Sequence, residues 1–159
     1  MIKFEILGQP LGKQRPRVLK SGWAYTPSNT VNYETMIKYT YQNLYGDREL
    51  ILGNIEASIT AVFPIPKSYS KKKTEELLNG HNNYDKKPDC DNLAKIILDS
   101  LNGIAYKDDS QVTALHIYKE YGTQPKVIVC LRRLRDDTER GNFTVHKRFR
   151  KHYTDASVC

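Results

Sequence analysis

The sequence predicts an α+β fold, a single small domain whose mixed or antiparallel sheet is packed by helices. Three observations carry that expectation. Alternating apolar runs open and close the stretch from Ile2 to Arg132, longer stretches between them repeat apolar residues at helical spacing, and glycine or proline marks most boundaries. With 159 residues the chain is of one-domain size and can bury roughly two-thirds of its unfolded surface, enough for a core without disulfide staples. The domain is expected over residues 1–134, with 135–159 as a basic tail.

Ile2, Phe4 and Ile6 alternate with Lys3, Glu5 and Leu7 until Gly8 and Pro10 break the run, the pattern of a strand. The segment GQPLGKQRPRV is too rich in glycine and proline for a helix and lacks the spacing of a phosphate-binding P-loop. VLKSGWAY can turn back on itself about Ser21-Gly22. From Thr30 to Tyr45, Val31, Tyr33, Met36, Ile37, Tyr39, Thr40, Tyr41 and Leu44 recur at helical spacing, with Ser28 or Asn29 as cap and Gly46 as stop. NIEASITAVFPIP reads as a strand ended by Pro64 and Pro66, and Ser70 as the cap of a short helix KKKTEELLN closed by Gly80.

Pro88 disfavours helix immediately before it, so the helix in DCDNLAKIILDSLNG should begin near Asp89 and end at Gly103, with Leu93, Ile96, Ile97 and Leu101 buried. After the turn YKDDS come two strands, VTALHIYKEYG and KVIVCLR, read as an antiparallel pair joined through Gly122 to Pro125. Beyond Arg135 the pattern stops.

The formal net charge of +7 favours a polyanionic partner. Residues 1–20 carry Lys3, Lys13, Arg15, Arg17 and Lys20 against Glu5, and residues 132–151 carry eight cations against Asp136, Asp137 and Glu139. The three cysteines, Cys90, Cys130 and Cys159, have no CxxC spacing and no zinc pattern, which suggests reduced thiols. Lys3 and Glu5 interrupt the first apolar run and no stretch has transmembrane length, so a cytoplasmic protein with no membrane partner is expected.

Between the basic ends lie two acidic pairs, Asp89 with Asp91 and Asp108 with Asp109, flanking the apolar helix. A polyanion repels carboxylates, so acids on a nucleic-acid-facing surface make sense chiefly when a divalent cation neutralises them and bridges to phosphate. Taken singly, either of Asp89 and Asp91 is accounted for by helix capping. Residues i and i+2 within a helix do not share a face, but Asp89, just after proline, need not be helical and can turn toward Asp91. Lys95, one turn after Asp91, is either an exposed ion-pair partner or a cation beside a scissile phosphate. An EF-hand is disfavoured because Leu93 and Ala94 occupy ligand places, and a phosphatase-type DxD because DKKPDCD follows a polar loop rather than an apolar strand.

KKPDCDNLAKIILDSLNGIAYKDDSQV resembles the core signature of RusA-type Holliday junction resolvases: a basic-flanked DxDN, a lysine one turn on, and a DD before a small residue, glutamine and valine. GQPLGKQRPRV, WAYTP and the tyrosine-bearing helix are similar to the Gram-positive and phage branch of that family. The resemblance spans roughly residues 2–132. It implies a RusA-like homodimeric fold and a Mg²⁺-dependent crossover junction endodeoxyribonuclease, with Mn²⁺ able to substitute, that makes paired incisions in a four-way DNA junction. Carried over by position, the resemblance gives Asp89, Asp91, Asp109 and Lys95 as catalytic residues, and Asp89, Asp91, Asp108 and Asp109 as metal ligands. It implies that Lys119 belongs to the site, and that Cys90 packs rather than ligates. Lys13, Arg15, Arg17, Lys86, Lys87 and Lys119 are the expected DNA contacts. A non-catalytic DNA-binding accessory protein, or a nuclease of the same fold acting on flaps, forks or RNA, would carry the same motifs.

Overall fold

The computed structural model describes residues 1–46, 48–80 and 83–134. The elements in chain order are β1 (Ile2–Leu7), β2 (Arg17–Val18), β3 (Ala24–Tyr25), α1 (Ser28–Tyr45), β4 (Ile55–Pro64), α2 (Lys71–Leu78), α3 (Cys90–Leu101), a 3-10 turn (Asp109–Gln111), β5 (Val112–Gly122) and β6 (Lys126–Arg133). The expectations for residues 135–159, including Cys159 and the arginines and lysines beyond Arg133, lie outside the described residues.

Four strands make a mixed sheet in the order β1-β6-β4-β5, and β2 and β3 make a separate two-stranded ribbon. One expectation is corrected here. β5 and β6 do not pair with each other, because β4 lies between them, parallel to β5 and antiparallel to β6. The short connection after Gly122 resembles a hairpin loop, yet β6 fits the sheet interior better: Val127, Val129 and Leu131 are fully buried between β1 and β4.

The register shows which face is packed. Phe4, Val129, Ile59 and Ile117 form one row across all four strands on the apolar face, while Glu5, Ile128, Thr60 and Tyr118 form the row beside it on the opposite face. This is period-two alternation used to bury one side of a sheet.

Helix α3 is the best anchored helix. Leu93, Ile96, Ile97 and Leu101 have no exposed surface, as the apolar stripe predicts. Each such side chain is worth about 1.5–3 kcal/mol of burial, so the backbone at its ends is held firmly. In α1 the buried stripe is narrower than expected, with Thr30, Tyr33, Ile37 and Tyr41 inside, but Val31, Tyr39 and Leu44 exposed. Pro27, rather than Ser28 or Asn29, occupies its N-cap, without a side-chain cap. Ser70 does cap α2, its Oγ accepting from the Lys73 N–H at 3.3 Å. Cys90 is exposed, not packed, Cys130 is buried, and no disulfide joins them. Among the described residues no helix is long and apolar enough to cross a membrane.

Candidate active site

The first acidic pair sits where the chain enters α3. Asp89 is the N-cap residue in extended backbone, φ −69° and ψ 155°, and its carbonyl accepts the Leu93 N–H at 3.1 Å. Its carboxylate, however, makes no capping hydrogen bond. Capping therefore does not account for the side chain at the position where capping was the simplest explanation. Asp91 lies in the first turn, exposed, with the Asn92 amide donating to it over a long 3.4 Å. Lys95 is exposed one turn further and takes part in none of the ion pairs of the described residues, so an i, i+4 bridge to Asp91 is not formed. Asp89, Asp91 and Lys95 are all exposed to solvent at the start of the helix.

Three long-range contacts hold this entrance. Lys119 on β5 donates to the carbonyls of Lys86 at 2.6 Å and Pro88 at 3.0 Å, with its ammonium 5.4 Å from the Tyr84 ring centroid. Tyr84 is itself fixed, stacked on Phe63 at 3.8 Å and bonded through its N–H to the Lys119 carbonyl. From the other side the N-terminal loop crosses over α3: the Lys13 N–H donates to the Asn92 carbonyl at 2.8 Å. A Cβ on Gly12 would stand 2.6 Å from Pro88 Cβ and 3.2 Å from Asn92 Cβ. Glycine is needed there for close approach rather than for unusual backbone angles.

Two of the expected DNA cations make contacts within the protein. The Lys13 ammonium is half-buried between Glu34 and Asp99, 3.1 Å from the latter, and is neutralised within the protein. Burial pulls its pKa down, but the hydrogen bonds to Glu34 and Asp99 outweigh that and leave it above the ordinary value. Lys119 uses its ammonium on backbone carbonyls and acts as a clamp on the loop that delivers Asp89.

The other expected cations remain at the surface. Lys87 is exposed, as are Arg15 and Arg17 on and before β2. Lys86 donates to the Tyr69 hydroxyl at 3.2 Å, which raises its pKa, and hydrogen bonds with Tyr121 and Lys86 lower that of Tyr69.

The second pair, past the far end of α3, is used differently. Asp108 closes a capping box: its Oδ1 accepts from the Ser110 N–H at 2.9 Å, while the Gln111 side chain accepts from the Asp108 N–H at 3.3 Å. Those bonds to Ser110 hold the Asp108 carboxyl below its ordinary pKa. Gln111 also donates to the carbonyls of Ile51 and Gly53, tying the turn to the chain before β4. Asp109, half-buried, follows Tyr106, whose phenol is raised mainly by burial and then by the Asp109 charge, and which donates to the Leu98 carbonyl at 2.9 Å.

A single cluster of all four aspartates is therefore not formed within one chain. The 12 residues of α3 span about 18 Å, and the strand path from Val112, beside Asp109, to Lys119, beside Pro88, is about 23 Å. Among the described residues no group of three or more His, Cys, Asp or Glu side chains comes close enough to hold a metal ion. Lys86, Lys87, Asp89, Asp91 and Lys95 lie along the entering loop and the first turns of α3, and Asp108 and Asp109 come after its far end.

Residues 8–132 match the family model described as endodeoxyribonuclease RusA. A relative, the "Uncharacterized protein YqaN" of Bacillus subtilis (strain 168), is 33% identical over 136 residues, covering 82% of this chain and 95% of that protein.

Proposed function

The chain belongs to the RusA endodeoxyribonuclease family, and from that membership we propose that it is a homodimeric, Mg²⁺-dependent, cytoplasmic nuclease that resolves four-way DNA junctions by paired phosphodiester hydrolysis, with its catalytic centre at the entrance of α3. The observation that carries this reading is the unspent state of Asp89 and Asp91. Both carboxylates are exposed without a cation partner, although each stands at a position where a capping role would have sufficed.

The donor set fits a hard divalent cation. Mg²⁺ keeps several waters and needs only one or two protein carboxylates besides the substrate phosphate; Asp89 and Asp91 supply two oxygen donors on a rigid helix end, with Asp109 as a third from elsewhere. Mn²⁺ accepts the same ligands. When bound, such an ion supplies Lewis-acid activation of phosphate and of an attacking water. Within the chain, Lys95 offers an ammonium to the phosphate that brings the negative charge. Lys87 and Lys86 extend the positive surface along the entering loop, and Arg15 and Arg17 place further phosphates without reading sequence. Lys119 and Gly12 keep the loop carrying Asp89 in place while that charge is neutralised.

The separation of the acidic pairs supports a dimer in which they meet between subunits. β5 is an edge strand. Among the described residues its outer edge is engaged through Asn83 at Glu120 and Tyr84 at Lys119, toward its C-terminal end. Two copies pairing antiparallel along the remaining Val112–Tyr118 edge would run the partner's Asp109 toward Asp89 and Asp91, and symmetry would repeat this at the second site. Two equivalent sites suit a junction of approximate two-fold symmetry.

The test is incubation with a synthetic four-way junction, a flap and linear duplex of matched sequence, in Mg²⁺, Mn²⁺ or EDTA. Cleavage of the junction with either metal and of nothing in EDTA is the expected result. Equal cutting of flap and duplex would make it a general nuclease, and junction cutting in EDTA would remove the metal site.

A further inference from the structure

Apart from Arg17, the ribbon formed by β2 and β3 has no place in the chemistry above, and its composition is hard to explain as surface alone. Every residue from Arg15 to Thr26 is exposed, including Val18, Leu19, Trp23 and Tyr25, and Trp23 shows 77% of its surface to water. The ribbon is nevertheless ordered at its tip. The Leu19 N–H donates to the Trp23 carbonyl at 2.8 Å, the Gly22 N–H donates to the Leu19 carbonyl at 2.9 Å, and Gly22 takes a positive φ of 84° that suits glycine. A two-stranded ribbon with no core of its own is marginal in water. Four large apolar side chains on it gain nothing from the fold.

Charge identifies what they face. From Ile6 to Tyr33 there is no aspartate or glutamate, while Lys13, Arg15, Arg17 and Lys20 supply four cations, of which Lys13 is neutralised internally. Two such ribbons meeting across a two-fold axis would set cation against cation, which disfavours a second copy of the chain as occupant. Position adds a second argument. The ribbon rises from the loop that Gly12 and Lys13 fix against Asn92 at the entrance of α3, so its partner is the molecule that enters the candidate active site.

Resting on the DNA-cleaving reading above, we propose that this ribbon is a branch-point probe, in which Trp23 stacks on an unpaired base while Arg15, Arg17 and Lys20 hold the flanking phosphates. A strand of four or five residues reaches roughly 15 Å from the anchored loop, about four nucleotide steps along one strand. The base that Trp23 meets is therefore a few nucleotides from the scissile phosphate, where a junction, unlike duplex, presents bases free of their stacking partners. Stacking on an aromatic ring tolerates any base, so the probe reads structure and not sequence.

Trp23 is the chain's single tryptophan, so its fluorescence reports on this contact directly. The experiment titrates the full-length protein, in EDTA so that nothing is cut, with a four-way junction and with linear duplex of the same sequence, following emission alongside anisotropy of labelled DNA. Saturable quenching by the junction, in step with binding, and little quenching by bound duplex are expected. Trp23→Ala should weaken junction binding about tenfold, near the lower part of the range for one base–aromatic stack, with duplex binding unchanged and Trp23→Phe close to wild type. Trp23 is exposed and makes no part of the core, and a melting curve checks that both variants fold. Junction binding without quenching would overturn the proposal, as would an emission already typical of a buried indole that changes on dilution of the protein, or quenching by anionic vesicles but not by DNA. Quenching by a junction that is never cut in Mg²⁺ would sink the nuclease reading and leave the probe standing; cleavage with unquenched Trp23 would do the reverse.

Discussion

The two ends of α3 carry acidic pairs that look alike in sequence and are used in opposite ways. At the entrance, Asp89 and Asp91 make no capping bond and no ion pair, and the loop that presents them is held by residues from two other segments, Gly12 with Lys13 before β2 and Lys119 on β5. At the exit, Asp108 is occupied by its own backbone, capping a 3-10 turn, and only Asp109 is available for anything else. A carboxylate at a helix end acquires a functional reading when the local structure leaves it unsatisfied. By that criterion three of the four aspartates qualify.

Substitutions should separate the two ends sharply. Asp91→Asn and Asp109→Asn each keep shape while removing charge. Each should cost more than about a hundredfold in junction cleavage, beyond the usual loss for an outer-shell residue of a metal site, with junction binding retained or tightened. Asp108→Asn keeps an acceptor for the Ser110 N–H and should stay within a few-fold of wild type. An Asp108→Asn protein as inactive as Asp109→Asn would erase the distinction between the exit residues, and full cleavage by Asp91→Asn would remove the entrance from the chemistry.

The support of the entrance can be tested through Gly12. Adding a methyl group there brings it against Pro88 and Asn92, and overpacking of this kind costs about 1–3 kcal/mol. Gly12→Ala should lower the melting temperature and reduce cleavage together. Gly22→Ala is a poor control because of its positive φ, so Gly46, which meets its own helix backbone, and Gly22 are both avoided in favour of an exposed polar position such as Gln9→Ala.

A smaller effect distinguishes the two kinds of basic residue in the N-terminal segment. Arg15 and Arg17 replaced together by alanine should flatten the log–log salt dependence of junction binding by up to about two units, whereas Lys13→Met should leave that slope unchanged. Lys13 acts on stability instead. Its folded pKa lies above the ordinary lysine value of 10.5, so its contribution is fully present below pH 10.5 and fades as pH rises through the higher folded value. Thermal melts of wild type and Lys13→Met should therefore differ up to that pH and converge above it. A salt slope that falls with Lys13→Met would return this lysine to the DNA surface.

Much of this was legible in the chain. The stripe Leu93, Ile96, Ile97 and Leu101, bounded by Pro88 and Gly103, defines α3 because helical periodicity and its stop signals are local. The ribbon about Ser21-Gly22 was legible for the same reason. Strand order was not. A short link between β5 and β6 suggests a hairpin, and only long-range packing of Val127, Val129 and Leu131 shows that β4 lies between them. The residue types of the site could be read, but their division into two places follows from the length of α3, a ruler that the sequence contains and that the spacing of the motifs conceals. The contacts of Gly12 with Pro88, of Lys13 with Glu34 and Asp99, and of Lys119 with the loop carbonyls join residues far apart in the chain and left no local signal.

If the separated pairs meet only across a dimer, two inactive proteins should repair each other. In a heterodimer of one Asp91→Asn subunit and one Asp109→Asn subunit, one composite site carries both substitutions and the other carries neither. Each homodimer should be inactive on a supercoiled cruciform in Mg²⁺, and mixing them under conditions that exchange subunits should restore nicking of one strand with little linear product. A mixture that exchanges subunits and remains as inactive as its parents would contradict a centre shared between subunits.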